Sequence, residues 1–174
     1  KTVAYALPII QKLIGKADAK NRHVKVLVLV PTRELAVQVE KVFKSFCLSL
    51  PEKIKSMAVY GGVSINPQMI NMNGVQILVA TPGRLLELVE SNALSLGNVQ
   101  TLVLDEADRM LDMGFSEAMN TIARASNSSR QNLLFSATLK HRGMSKIDPL
   151  MEDPRRMVID AGAHGHSQIV QQRV

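Results

Sequence analysis

Thr101-Leu102-Val103-Leu104-Asp105-Glu106-Ala107-Asp108 is an apolar run that stops at a cluster of acids. Its first four residues predict the end of a strand buried on both faces. Asp105 and Glu106 then fall at the carboxyl edge, where open α/β sheets bind ligands. Two adjacent carboxylates at such an edge can divide a task. One holds a hydrated Mg²⁺, and the other orients or deprotonates a water. The same letters also describe a strand that ends in a solvated acidic turn, so the neighbouring segments decide.

Outward from this stretch, short β-branched runs alternate with amphipathic ones. Strands are predicted at Val26–Val30, Met57–Tyr60, Gln76–Ala80, Thr101–Leu104, Asn132–Phe135 and Arg156–Ile159. Helical spacing is found at 2–13, at 34–48 with Leu35, Val39, Val42 and Phe46 on one face, and at 84–90, 117–125 and 140–151. Strand alternating with helix predicts an α/β domain, a mainly parallel central sheet with helices on both faces. Ala161 to Ser167 reads as a linker, and the apolar pair Ile169-Val170 as the start of a further domain.

Composition bounds the function classes more than it names one. At 174 residues the chain suits one domain with a real core, able to bury roughly 70% of its unfolded surface. A content of 46% hydrophobic and 21% charged residues fits neither a disordered nor a membrane protein. The net charge of +6 favours a polyanionic partner, and fits a plain basic protein equally. Aromatics at 3% make base stacking a poor main mode of binding and favour sugar and phosphate contacts. The one cysteine, Cys47, allows no disulfide within the chain and suits a reducing compartment. It reads as a small buried hydrophobe. No apolar run is long enough to span a bilayer, and Pro8 argues against a signal peptide at the start.

The loops after the predicted strands carry the chemistry. After Val26–Val30 comes Pro31-Thr32-Arg33-Glu34-Leu35-Ala36, where Thr32 can cap a helix and Glu34 favours its first turn. That helix start offers N–H groups to a phosphate, with Arg33 adding charge, or is simply a capped helix. Thr81-Pro82-Gly83-Arg84 repeats the design, with Thr81 as cap, Pro82 at the first helical position and Gly83 open to another backbone. Arg84 opposes the helix dipole, which points to an anion or to a salt bridge. Gly61-Gly62 permits contact with a sugar-phosphate chain, or a turn. Ser136-Ala137-Thr138 can hydrogen-bond the acids of the neighbouring strand, or cap a helix before Lys140. Met110, Leu111 and Met113 read as packing against the sheet. His23 and His141 read as surface residues, and His164 and His166, without acid or cysteine companions, as loop residues. Lys1-Thr2 carries only the last two letters of a P-loop ahead of a helix and means little by itself.

Taken in order, Pro31–Ala36, Gly61-Gly62, Thr81–Arg84, Asp105–Asp108 and Ser136–Thr138 resemble the first RecA-like domain of DEAD-box ATP-dependent RNA helicases, as does Arg109 to Phe115. The resemblance runs from Lys1 to the linker. It implies a RecA-like P-loop NTPase domain over 1–160, truncated at its start, followed at 161–174 by a linker and the beginning of a missing second RecA-like domain. It implies ATP and Mg²⁺ as cofactors, with Lys1 on the β- and γ-phosphates, and Thr2 and Asp105 holding the metal. Glu106 would activate the attacking water. Asp108 would bond to Ser136 and Thr138 and so link the nucleotide to RNA-dependent closure. Thr32, Arg33, Gly61, Gly62, Thr81, Gly83 and Arg84 would grip the RNA backbone with little sequence preference.

Two parts of the family pattern are missing from these residues: the glutamine-containing adenine-reading motif and the glycines ahead of Lys1. With the cradle incomplete, residues 1–174 alone are expected to hydrolyse ATP negligibly. Other expectations are a monomer, no membrane partner, and an intracellular location with nucleus, nucleolus and cytoplasm not distinguished. The competing readings are an ATP-gated RNA clamp without strand displacement and a DNA-directed or metabolic P-loop ATPase. The Thr-Pro-Gly-Arg and Gly-Gly elements disfavour the last.

Overall fold

The structure, a computed structural model, describes residues 1–15, 23–138, 143–151 and 153–158. Its centre is a five-stranded sheet in the order β2-β3-β1-β4-β5. These strands are β1 (Val26–Leu29), β2 (Lys55–Val59), β3 (Val75–Ala80), β4 (Thr101–Leu104) and β5 (Gln131–Leu134), and all pairings are parallel. The register is flush at one end: Leu29 pairs with Ala80 and Leu104, Val59 with Ala80, and Leu104 with Leu134. All five strands therefore deliver their carboxyl ends to one rim.

Alternation along the strands supplies two cores. Val26, Val28, Ile77, Val79 and Val103 face α1 (Thr2–Leu13) and α2 (Arg33–Cys47). Leu27, Leu29, Leu78, Ala80, Leu102 and Leu104 face the other way, under α4 (Pro82–Glu90), α5 (Ala107–Asp112) and α6 (Ser116–Ala125). The three middle strands are buried throughout, as a sheet covered on both faces requires. The edge strands β2 and β5 stay partly exposed.

Several predicted boundaries shift. β2 begins two residues before Met57 and ends before Tyr60, and β5 runs one residue earlier than Asn132–Phe135. On α2 the fully buried stripe is Ala36, Val39, Phe43 and Cys47. Leu35, Val42 and Phe46 only flank it, so the inward face is turned from the predicted one. Of 140–151, residues 143–151 contain two short 3₁₀ turns, Met144–Lys146 and Asp148–Leu150, in place of one helix. Pro149 fits this, since proline cannot donate the backbone bond a helix interior needs. Arg156 to Val158 form no strand, with Met157 75% and Val158 70% exposed; without an apolar face to cover, nothing draws them into the sheet. Ile159, His141, His164, His166 and the proposed linker lie outside the described residues. Met113 is 49% exposed, while Met110 and Cys47 are buried as expected. The short α3 (Asn66–Asn71) was not predicted; six residues carry too little periodicity to read.

Candidate nucleotide and nucleic-acid rim

At the rim the sheet's hydrogen bonding continues one residue beyond the strands. Val30 donates to Ala80, Thr81 to Val59, Asp105 to Leu29 and Phe135 to Leu104, at 2.8–3.1 Å. The loops that follow therefore leave the sheet from fixed positions. With the loop after β2, they hold all the predicted site residues except Lys1 and Thr2.

The acids sit at the centre. Asp105 is 4% exposed, and a carboxylate so deep in the protein needs partners. One is the N–H of Glu106, 3.0 Å from Oδ1. The other is the Tyr5 hydroxyl of α1, which donates to Oδ2 at 2.8 Å. Burial pushes the Tyr5 hydroxyl far above its ordinary range. The Asp105 charge and the hydrogen bond to it add to the rise, while a hydrogen bond with the Thr2 side chain opposes it. Glu106 has φ 52° and ψ 50°, a left-handed conformation that costs a non-glycine residue about 1–2 kcal/mol. The turn this makes sends the chain from β4 straight into α5, and the Ala107 N–H closes it on the carbonyl of Phe135 at 3.0 Å. The Glu106 side chain is half-buried and reaches Arg109 at 3.2 Å, an exposed pair of little energetic weight.

Asp108 joins the acids to the loop after β5. Thr138 donates to its Oδ2 from the hydroxyl at 2.7 Å and from the backbone at 3.1 Å. The Ser136 hydroxyl accepts from the Thr138 N–H, also at 3.1 Å, and folds that loop onto itself. Partial burial alone would raise the Asp108 pKa. Hydrogen bonds from Thr138, the Arg109 backbone and Ser136 outweigh it, and the carboxyl is held below its ordinary value.

The flanking loops are built differently from one another. Thr32 caps α2, accepting from the Leu35 N–H at 3.3 Å. Arg33 is exposed and lies over the Tyr60 ring, 4.9 Å from its centroid. Thr81 occupies the cap position of α4, but its hydroxyl makes no capping bond among the described residues. Arg84 does not project: it is 7% exposed, bonded to Glu87 and to the carbonyl of Val63, both at 2.8 Å. Its remaining nitrogen, Nη1, has no partner among the described residues. Arg84 thus ties the Gly61-Gly62 loop to the start of α4. Gly62 has φ +77°, a conformation that favours glycine, and a Cβ added at Gly61, Gly62 or Gly83 would meet nothing within 4 Å. Open space lies above all three. Lys1 is exposed at the cap position of α1 and Thr2 is partly buried. The Tyr5–Asp105 bond brings that end of α1 to the acids.

Two contributors escaped the sequence reading. Gln68 of α3 is buried and bonds both the N–H and the carbonyl of Tyr60, at 3.2 and 3.1 Å, fixing the residue ahead of Gly61. Tyr5 is the other; the signal available was a hydroxyl-bearing ring on the otherwise apolar stripe of Ala6, Ile9, Ile10 and Leu13.

No cluster of three or more His, Cys, Asp or Glu suited to a metal occurs among the described residues. The donors at the rim are carboxylate and hydroxyl oxygens. That set suits Mg²⁺, which keeps waters and takes one or two carboxylates together with phosphate oxygens. No helix among the described residues is long and apolar enough to cross a membrane.

The parallel sheet and its loaded carboxyl rim define a RecA-like α/β domain. Residues 1–147 match the family model for DEAD/DEAH box helicases, and the chain belongs to that family. It is 48% identical over 144 residues to the chloroplastic DEAD-box ATP-dependent RNA helicase 3B of Zea mays, covering 80% of this chain and 19% of that protein. It is 45% identical over 141 residues to the ATP-dependent RNA helicase CshA of Listeria monocytogenes, covering 80% and 26%. A DEAD box protein from Methanococcus jannaschii superposes with a TM-score of 0.74 at 36% identity, over 87% of this chain and 40% of that one. A hypothetical ATP-dependent RNA helicase from Sulfolobus tokodaii gives 0.76 at 32% identity, over 88% and 43%. The chain spans about a fifth to a quarter of the length of these two sequence relatives.

Proposed function

We propose that this chain is the nucleotide-binding lobe of an ATP-dependent RNA helicase, coupling ATP hydrolysis to RNA backbone binding and local duplex unwinding. One observation carries the reading: the acids after β4 share a rim with the glycine, threonine and arginine loops after β1, β2 and β3. Lys1 contacts the β- and γ-phosphates, and Thr2 and Asp105 hold the metal. Held there, Mg²⁺ would supply positive charge against the negative charge of the transferring phosphoryl group. Glu106 orients the attacking water and accepts its proton as the bond between γ-phosphorus and the bridging oxygen breaks and ADP leaves.

RNA lies across Thr32, Arg33, Gly61, Gly62, Thr81 and Gly83. Arg33 supplies exposed charge, and Arg84 acts mainly by holding the glycine loop in place. Asp108 couples the two ligands, because its partner Thr138 stands after β5 while Asp108 itself follows the acid pair. A second RecA-like domain completes both sites. Residues 1–174 alone, lacking that charge around the γ-phosphate, turn over ATP negligibly.

The test is RNA-stimulated ATPase activity of the full-length protein. Glu106→Gln should retain ATP binding and lose about 10²–10⁴-fold in turnover. Unchanged turnover would remove Glu106 from the chemistry and the reading with it.

A further inference from the structure

Among the described residues, the Tyr5 hydroxyl makes the bond from α1 to the acid pair, and nothing in the proposed chemistry uses it. Tyr5 is 2% exposed. Its ring packs on Phe135, 5.0 Å between centroids, and on Phe43 of α2 at 6.2 Å. These contacts fix where the hydroxyl can point, and it points at Asp105 Oδ2. With the Glu106 N–H on Oδ1, both oxygens of the carboxylate are held from the protein side. A carboxylate has about four acceptor sites, so each oxygen keeps capacity for an outer ligand. Thr2 lies three residues before Tyr5 on α1 and hence on the same face of the helix.

We propose that Tyr5 is a positioning residue for the metal: its hydroxyl orients Asp105 and locks the first turn of α1, which carries Thr2, against the end of β4. The proposal rests on the reading of Asp105 and Thr2 as the metal-holding pair. Partners of ligating carboxylates commonly set metal affinity, because they fix the ligand's orientation before the ion arrives. The contact with Phe135 extends the same brace to the strand that leads into Ser136 and Thr138.

Tyr5→Phe removes the hydroxyl and keeps the ring between Phe43 and Phe135. The measurement is Mn²⁺ affinity of the full-length protein with ADP, read from the free-ion electron paramagnetic resonance signal, beside ADP affinity without metal. Thermal midpoints confirm folding. Tyr5→Phe should weaken Mn²⁺ roughly tenfold and leave metal-free ADP binding unchanged, with Asp105→Asn weakening Mn²⁺ further. Unchanged Mn²⁺ affinity in Tyr5→Phe beside a clear loss in Asp105→Asn overturns the role of Tyr5 alone. Equal losses of metal and metal-free nucleotide binding in Tyr5→Phe would mean simple packing damage, and also overturn it. Full Mn²⁺ affinity in Asp105→Asn would instead overturn the metal reading beneath it.

Discussion

Asp108 carries a charge whose stability depends on Thr138, thirty residues later in the chain. Its folded pKa lies below the ordinary value. The stabilisation is therefore fully present above the unfolded pKa of about 3.9 and is lost as pH falls through the folded one. Asp108→Asn, which keeps an acceptor but not the charge, should be less stable than the parent at neutral pH. The gap should close below about pH 4. Chemical denaturation at a series of pH values reads this directly, and a constant gap would mean that the charge is irrelevant to the loop. Cys47 shows the opposite balance. Burial, with some help from the Glu40 charge, raises its pKa, which agrees with the reading of the lone cysteine as an inert apolar side chain.

At the scale of elements, what could be read from the letters was whatever repeats. The buried middle strands are dominated by β-branched and leucine residues, with Gln76 and Ala80 the exceptions in β3, and Thr32 capped where a cap residue preceded a helical stripe. Edge strands and short helices were harder. β2 is half exposed and gains its register partly from a bulge between Lys55 and Ser56, which no local pattern announces. For Arg84 the letters allowed an anion or a salt bridge, and they could not show its burial, for a related reason. Its partner Val63 is twenty-one residues away in sequence, so its burial is a tertiary fact. Gln68 belongs to this class as well. Its amide serves Tyr60 at the end of β2, where no neighbouring strand takes the free edge among the described residues. Gln68→Ala should leave two backbone groups of Tyr60 unpaired, at a cost of about 1–3 kcal/mol. Amide exchange at Tyr60 should quicken while exchange in β1 changes little. Equal acceleration in both strands would mean global loss of stability and no specific hold on the glycine loop.

For the molecule as a whole, the parallel topology does the organising. Once every strand points the same way, five loops scattered from Pro31 to Thr138 must meet at one rim. The order of motifs was legible because each follows an apolar run. The brace from Tyr5 to Asp105 was not, since it joins residues a hundred positions apart.

The shared rim is tested most directly by mapping RNA onto it. A ¹⁵N-labelled sample of residues 1–174 would be titrated at low salt with a short single-stranded RNA and followed by backbone amide shifts. Thr32, Arg33, Gly61, Gly62, Thr81, Gly83 and Arg84 should move together and lose their response as salt rises. Shifts confined to the opposite end of the sheet, at Gly97, Asn98 and Gln100 ahead of β4, with these amides still, would contradict it.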